Sequence, residues 1–195
     1  MLKYDMKNKK LLVLSGISGV GKSSAIKILL DKHDFHFSVS TTSRAPREKE
    51  VHGVDYHFVS KQEFECMVRD DKFIEHIGFL DYSYGTTYDS VANNIYEQII
   101  LDLDHKGYQA LKIRNSNVFG IFLHHDDMNE IMRRLIDRSG VSAVTPEIQS
   151  RLDKALISAN TRHEYDHIIN VTNLTVDETV NQILLAFYQW FNLEK

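Results

Sequence analysis

Short unbroken apolar runs alternate with amphipathic stretches along most of the chain. Leu11 to Leu14 is four apolar residues in a row, the pattern of a strand buried on both faces. Ile99-Ile-Leu-Asp-Leu103 and Val118-Phe-Gly-Ile-Phe-Leu123 repeat it, and Ile168-Ile169 is a shorter version. Helical spacing fills the intervals. Lys22–Lys32 places Ala25, Ile28 and Leu29 on one side, and further helices are predicted at about residues 89–98, 106–114, 127–138 and 147–163. Strands alternating with helices predict an α/β fold with a parallel sheet covered on both faces. The last helix is the most clearly marked. Thr175 and Glu178 have capping-box spacing, and Val176, Val180, Ile183, Leu184, Phe187 and Phe191 form one apolar stripe.

From about Phe37 to Asp89 this rhythm stops. Ser38–Thr42, Tyr56–Val59 and Glu75–Phe79 are short alternating runs around one helical stretch, Lys61–Asp70. They predict a small antiparallel sheet inserted into the α/β framework. Glycine is spared in most places, with nine in 195 residues, yet Gly16, Gly19 and Gly21 fall within six positions. Such local concentration asks for an unusual backbone path.

That path has a recognisable chemistry. Gly16-Ile-Ser-Gly-Val-Gly-Lys22-Ser23 fits G-x-x-x-x-G-K-[ST] without a mismatch, between a predicted buried strand and a predicted amphipathic helix. The turn aims successive backbone N–H groups at phosphate oxygens, and the following helix adds the positive end of its dipole. Lys22 then neutralises phosphates while the Ser23 hydroxyl suits Mg²⁺. Asp102, an acid closing the apolar run Ile99–Leu101, is the expected second metal ligand.

Composition narrows the partners. The net charge is −4, from 23 Lys+Arg against 27 Asp+Glu, so the overall field does not attract nucleic acid or an anionic membrane. An acidic ligand must meet a local cluster instead. No apolar run approaches the roughly 20 residues of a membrane span. The single cysteine, Cys66, cannot form an internal disulfide, and its helical setting predicts a buried small apolar residue. A cytoplasmic setting is expected. Ten histidines include His163 with His167, His124 with His125, and His52 with His57, but none has a third ligand at motif spacing. Solvated or packed imidazoles are expected there.

Further motifs carry a resemblance. Phe37-Ser-Val-Ser-Thr-Thr-Ser-Arg44-Ala-Pro-Arg47, Glu50-Val-His-Gly-Val-Asp-Tyr56, Phe73-Ile-Glu75, Tyr84-Gly-Thr86 and Asp102-Leu-Asp104 stand in the order and spacing of guanylate kinases. From about Leu11 to the C-terminus the chain resembles that family, most weakly after Asn170. The resemblance implies a phosphate-loop NTPase-type parallel sheet flanked by helices, an inserted GMP-binding subdomain and a helical lid. The expected division is a basic tail over 1–9 and one domain over 10–195. Within the latter, 10–36, 96–127 and 158–195 form the core, 37–95 the insert, and about 128–157 the lid.

The implied reaction is ATP + GMP = ADP + GDP, a step of purine nucleotide metabolism, with Mg²⁺ accompanying ATP. Small nucleotides are the implied partners, and monomer or homo-oligomer stays open. Gly16, Ser18, Gly19, Val20, Gly21, Lys22, Ser23, Ser24 and Arg134 are expected to bind ATP. Arg44, Arg47, Tyr56 and Tyr84 would hold the GMP phosphate; Ser40, Glu75, Thr86 and Asp104 would face guanine. Two arginines three apart can fork onto one phosphate. Acceptor-only carboxylates suit the adjacent ring N–H and amino donors of guanine, whereas adenine would leave one unpaired. Lys22, Arg44, Arg138 and Arg151 are the expected catalytic cations, stabilising charge as phosphates meet.

Some positions depart from the family pattern. Lys106 stands where Gln is usual, Arg138-Ser139 where Arg-Gly is usual, and Asn170-Val171-Thr172 where Asn-Asp-Asp is usual. Two other readings compete: a catalytically silent scaffold domain that binds peptides, and a related kinase with another phosphate acceptor.

Overall fold

The computed structural model describes residues 8–193 apart from Lys49, Leu80, Asn94 and Asn115. The predicted basic tail lies, through residue 7, outside the described residues. In chain order the elements are β1 (Lys10–Gly16), α1 (Lys22–Lys32), β2 (His36–Phe37), β3 (Thr41–Thr42), β4 (His57–Phe58), α2 (Lys61–Arg69), β5 (Phe73–Phe79), β6 (Tyr82–Thr87), α3 (Tyr88–Ala92), β7 (Gln98–Leu101), α4 (His105–Arg114), β8 (Val118–His124), α5 (Met128–Ser139), α6 (Pro146–Asn160), β9 (His167–Asn170) and α7 (Val176–Trp190). The chain divides into two compact units, one of residues 1–11 and 35–118, the other of 12–34 and 119–195.

In the first unit, β2 pairs parallel with β7, which neighbours the opening residues of β1. A second sheet is ordered β4-β3-β6-β5. It is mixed rather than wholly antiparallel: β6 runs antiparallel to both β3 and β5, but β4 runs parallel to β3. The physical reason is the connection. Residues 43–56 are long enough for the crossover a parallel pair requires, where an antiparallel pair needs only a tight turn. Strand β6 was not anticipated, because Tyr82-Ser-Tyr-Gly-Thr-Thr87 carries little apolar alternation. Helix α2 opens on a capping box, Ser60 with Glu63, and seats Phe64 on Phe73 at 4.5 Å between ring centroids. Cys66 on α2 is exposed, contrary to the expected burial, because Phe64 alone of that helix turns inward.

In the second unit the parallel order is β1-β8-β9, with Ile121 opposite His167 and Leu123 opposite Ile169. Burial of Leu12, Val13, Leu14, Ile121, Phe122 and Leu123 bears out the unbroken apolar runs. Helix α1 turns Ala25, Ile26 and Leu29 inward, so Ile26 rather than Ile28 completes its face. Helix α7 has the expected capping box and buries Val180, Ile183, Leu184 and Phe187. Thr145 caps α6, whose Pro146 occupies the first turn where no N–H donor is needed.

Candidate functional site

Each unit holds a cavity lined by residues of the motifs read from the sequence. In the second unit a cavity of about 660 Å³ follows the loop between β1 and α1. Gly16 to Ser24 line it continuously, which brings Gly16, Ser18, Gly19, Val20, Gly21, Lys22, Ser23 and Ser24 together. Gly19 and Gly21 have φ of 84° and 102°, a region that side chains strongly disfavour. Gly21 is also the residue before α1, and Ser24 and Ala25 donate their N–H groups to its carbonyl. The loop is therefore bent by glycine into the first helical turn.

The remaining wall comes from α5, α6 and the segment entering α7. Arg134 and Arg138 line the cavity with Lys154, Ala155 and Ser158, and Val171, Leu174, Thr175, Val176 and Thr179 complete it. Four cations and no carboxylate stand among these lining residues. Arg134 Nε donates to Glu130 Oε1 at 2.8 Å, fixing its stem while leaving the outer guanidinium donors available. Arg133 bonds the same carboxylate, and the two arginines, Arg133 first, lower the Glu130 pKa to about 2. Arg151 is not part of this wall. It forms an ion pair with Glu147 on its own helix, at 3.1 Å.

In the first unit a cavity of about 200 Å³ is lined by Phe37, Ser40, Asp55, Tyr56, Glu75, Ile77, Tyr84, Gly85, Asp102, Leu103 and Asp104. Five of the residues expected to meet GMP are thus brought together: Ser40, Tyr56, Glu75, Tyr84 and Asp104. Thr86 supports them from behind, its N–H donating to Glu75 Oε1 at 2.9 Å. Tyr56 and Tyr84 meet edge to face at 5.9 Å, and the Arg44 guanidinium lies 5.6 Å from the Tyr56 ring centre. Arg44 also donates to Glu50 Oε1 at 2.9 Å. Arg47 is exposed, its backbone N–H bonded to Glu50 Oε2. Phe37 and Asp55 were not singled out as lining residues; each sits in a motif but has no distinctive spacing of its own.

Glu75 is the unusual member, a carboxylate with 7% of its surface exposed. Alternation along β5 predicts an outward side chain. A bulge overrides it: Phe73 faces Thr87 while Glu75 already faces Thr86, so Phe73, Ile74 and Glu75 are buried in succession. The Arg114 guanidinium at the end of α4 donates to the carbonyls of Phe73 and Ile74, supporting the irregular backbone. Burial pushes the Glu75 carboxyl above its ordinary range; the Thr86 hydrogen bonds oppose this and the Asp104 charge adds to it.

The oxygen donors Ser23 and Asp102 suit a hard cation such as Mg²⁺, which retains water and shares phosphate ligands. Ser23 lines the first cavity described and Asp102 the second.

Residues 8–189 match the family profile described as guanylate kinase. The chain belongs to the guanylate kinase family. It is 39% identical over 183 residues to the guanylate kinase of Mesoplasma florum, a match spanning 91% of this chain and 60% of that longer protein. Against the guanylate kinase of Rickettsia bellii it is 36% identical over 181 residues, spanning 91% of this chain and 93% of that one. A crystal structure of guanylate kinase from Anaplasma phagocytophilum superposes with a TM-score of 0.70 at 26% identity, covering 93% of this chain and 85% of that one. Guanylate kinase membership agrees with the parallel strands, the helical flanks and the second sheet described above. Among the described residues no helix is long and apolar enough to cross a membrane.

Proposed function

We propose that this chain transfers the γ-phosphoryl group of ATP to GMP, giving ADP and GDP. The observation that carries the reading is the buried Glu75 carboxylate, lining a cavity with two tyrosines and Asp104. An ionised carboxylate accepts hydrogen bonds and donates none, so it favours the N–H edge of guanine and leaves adenine unsatisfied. Ser40 and Asp104 complete the base site, with Thr86 orienting Glu75. Tyr56, Tyr84, Arg44 and Arg47 receive the monophosphate, whose oxyanion attacks phosphorus directly without a general base.

The donor triphosphate occupies the loop Gly16–Ser24, with Lys22, Arg134 and Arg138 meeting its charge. Mg²⁺, for which the Ser23 hydroxyl would be a ligand, would supply further charge neutralisation when bound. The assigned parts are a core of 10–36, 96–127 and 158–195, an acceptor insert of 37–95 and a lid of about 128–157. Arg151 takes a catalytic place by exchanging its Glu147 partner for phosphate. The setting that fits is cytoplasmic purine nucleotide metabolism.

The test is ADP release measured with GMP, AMP, UMP and CMP as acceptors. GMP is expected to support turnover at least about a thousandfold better than AMP, within the range such discrimination reaches. Lys22→Ala is expected to lower turnover by about two to three orders of magnitude. ADP release that ignores added GMP, or a fully active Lys22→Ala, would overturn the reading.

A further inference from the structure

We propose that Lys154 is a ligand of the donor triphosphate, a role that this chain gives to lysine on the face of α6 beside Arg151. The inference rests on the donor-site reading above and deepens it. Helix α6 presents Lys154, Ala155 and Ser158 to the donor cavity, whereas Arg151 is engaged by Glu147. Ala155 is almost completely buried, as is Ile148 two turns earlier, so this face of α6 is anchored and Lys154 projects from a fixed backbone. Lys154 is an exposed residue whose four-carbon stem has room to move, and it forms part of the cavity wall.

Charge supplies the second line of argument. Lys22, Arg134, Arg138 and Lys154 line one cavity without a lining Asp or Glu, in a chain whose net charge is −4. Like charges gathered on one cavity wall repel one another, and that repulsion is eased when a polyanion enters between them. A lysine serves as a mobile point charge there, reaching a phosphate oxygen without the planar fit an arginine fork requires. Because the site opens to solvent, its contribution is moderate and falls as salt rises.

The experiment is calorimetric titration of the β,γ-imido analogue of ATP with Mg²⁺ into the full chain, as wild type, Lys154→Met and Lys154→Arg. GMP is titrated into each as a check of folding, since its cavity contains no part of α6. Methionine keeps most of the stem and removes the charge. It is expected to weaken the analogue about tenfold, equivalent to about 1.4 kcal/mol, and to raise KM for ATP while KM for GMP stays constant. Arginine is expected to remain within about twofold of wild type, and the Met deficit to shrink at high salt. A Lys154→Met protein that binds the analogue within about twofold of wild type overturns the proposal. So does an equal loss in Lys154→Arg, which would identify packing rather than charge. No heat from the wild type would overturn the donor-site reading itself, so the two failures are told apart.

Discussion

Glu75 shows how one side chain carries a pH dependence. Its folded pKa lies above the ordinary carboxylate value, first through burial, so the fold loses stability as pH rises from that ordinary value towards the elevated one. Guanine donors favour the ionised form, hence KM for GMP is expected to rise as pH falls below the elevated value. The GMP phosphate is itself a titrating group, with a second pKa of roughly 6, which makes the comparison with Glu75→Gln decisive. That variant is expected to raise KM for GMP roughly 10- to 100-fold and to retain only the phosphate limb of the profile. A wild-type limb identical in shape to that of the variant would contradict the assignment.

Gly107 limits the same residue from another side. A Cβ there would stand 3.2 Å from Glu75 Oε2, inside ordinary contact distance. Gly107→Ala gains up to about 1 kcal/mol of helix propensity in α4, so Tm should hold or rise while KM for GMP increases several-fold. An unchanged KM would show that Glu75 yields freely. From sequence, Glu75 was reached through its place in a family pattern; its alternating strand alone pointed outward. The bulge that turns it inward depends on Thr86 and Arg114, which are far along the chain, and no local pattern announces it.

At the scale of elements, the parts driven by local patterning were the legible ones. The glycine loop, the capping box of α7, and the buried strands need only neighbouring residues to declare themselves. The helix expected over 89–98 is confined to α3, Tyr88–Ala92, before the chain enters β7. Tertiary pairing, rather than propensity, sets that boundary, since β7 needs Gln98–Leu101 extended beside β2. Lys154 was overlooked for a related reason: helical spacing places it near Arg151, but which of them meets the cavity depends on how α6 packs. Arg114 provides an element-level prediction. Arg114→Met removes both donors from the carbonyls of the β5 bulge and is expected to cost about 1–3 kcal/mol, lowering Tm and raising KM for GMP. Retained GMP affinity in that variant would show that the bulge holds without α4.

For the whole molecule, the two cavities have opposite character. One is lined by four cations and no acid; the other gathers Asp55, Glu75, Asp102 and Asp104. On the proposed assignment, the cationic cavity would suit a triphosphate in a chain of net negative charge, while the acids of the other would face the donors of a base. Each ligand should therefore register first in its own unit. In hydrogen-exchange measurements, GMP is expected to slow amides in β5, β6 and the residues after β7, and the ATP analogue those of Gly16–Ser24. Saturation at 100 times Kd gives about 2.7 kcal/mol of linkage stabilisation, and Lys22→Ala should abolish only the analogue's share. Protection by GMP that is strongest at Gly16–Ser24 would reverse the assignment of the cavities.

Strand β1 begins among residues of one unit and finishes among those of the other, and each unit is assembled from two separate stretches of chain. No single contiguous fragment of the gene encodes either half intact. An attempt to excise the acceptor half as residues 35–118 leaves behind its Lys10–Leu11 edge, and the complementary half arrives as two disconnected peptides. Separating the units takes three breaks in the chain, after residues 11, 34 and 118, rather than one.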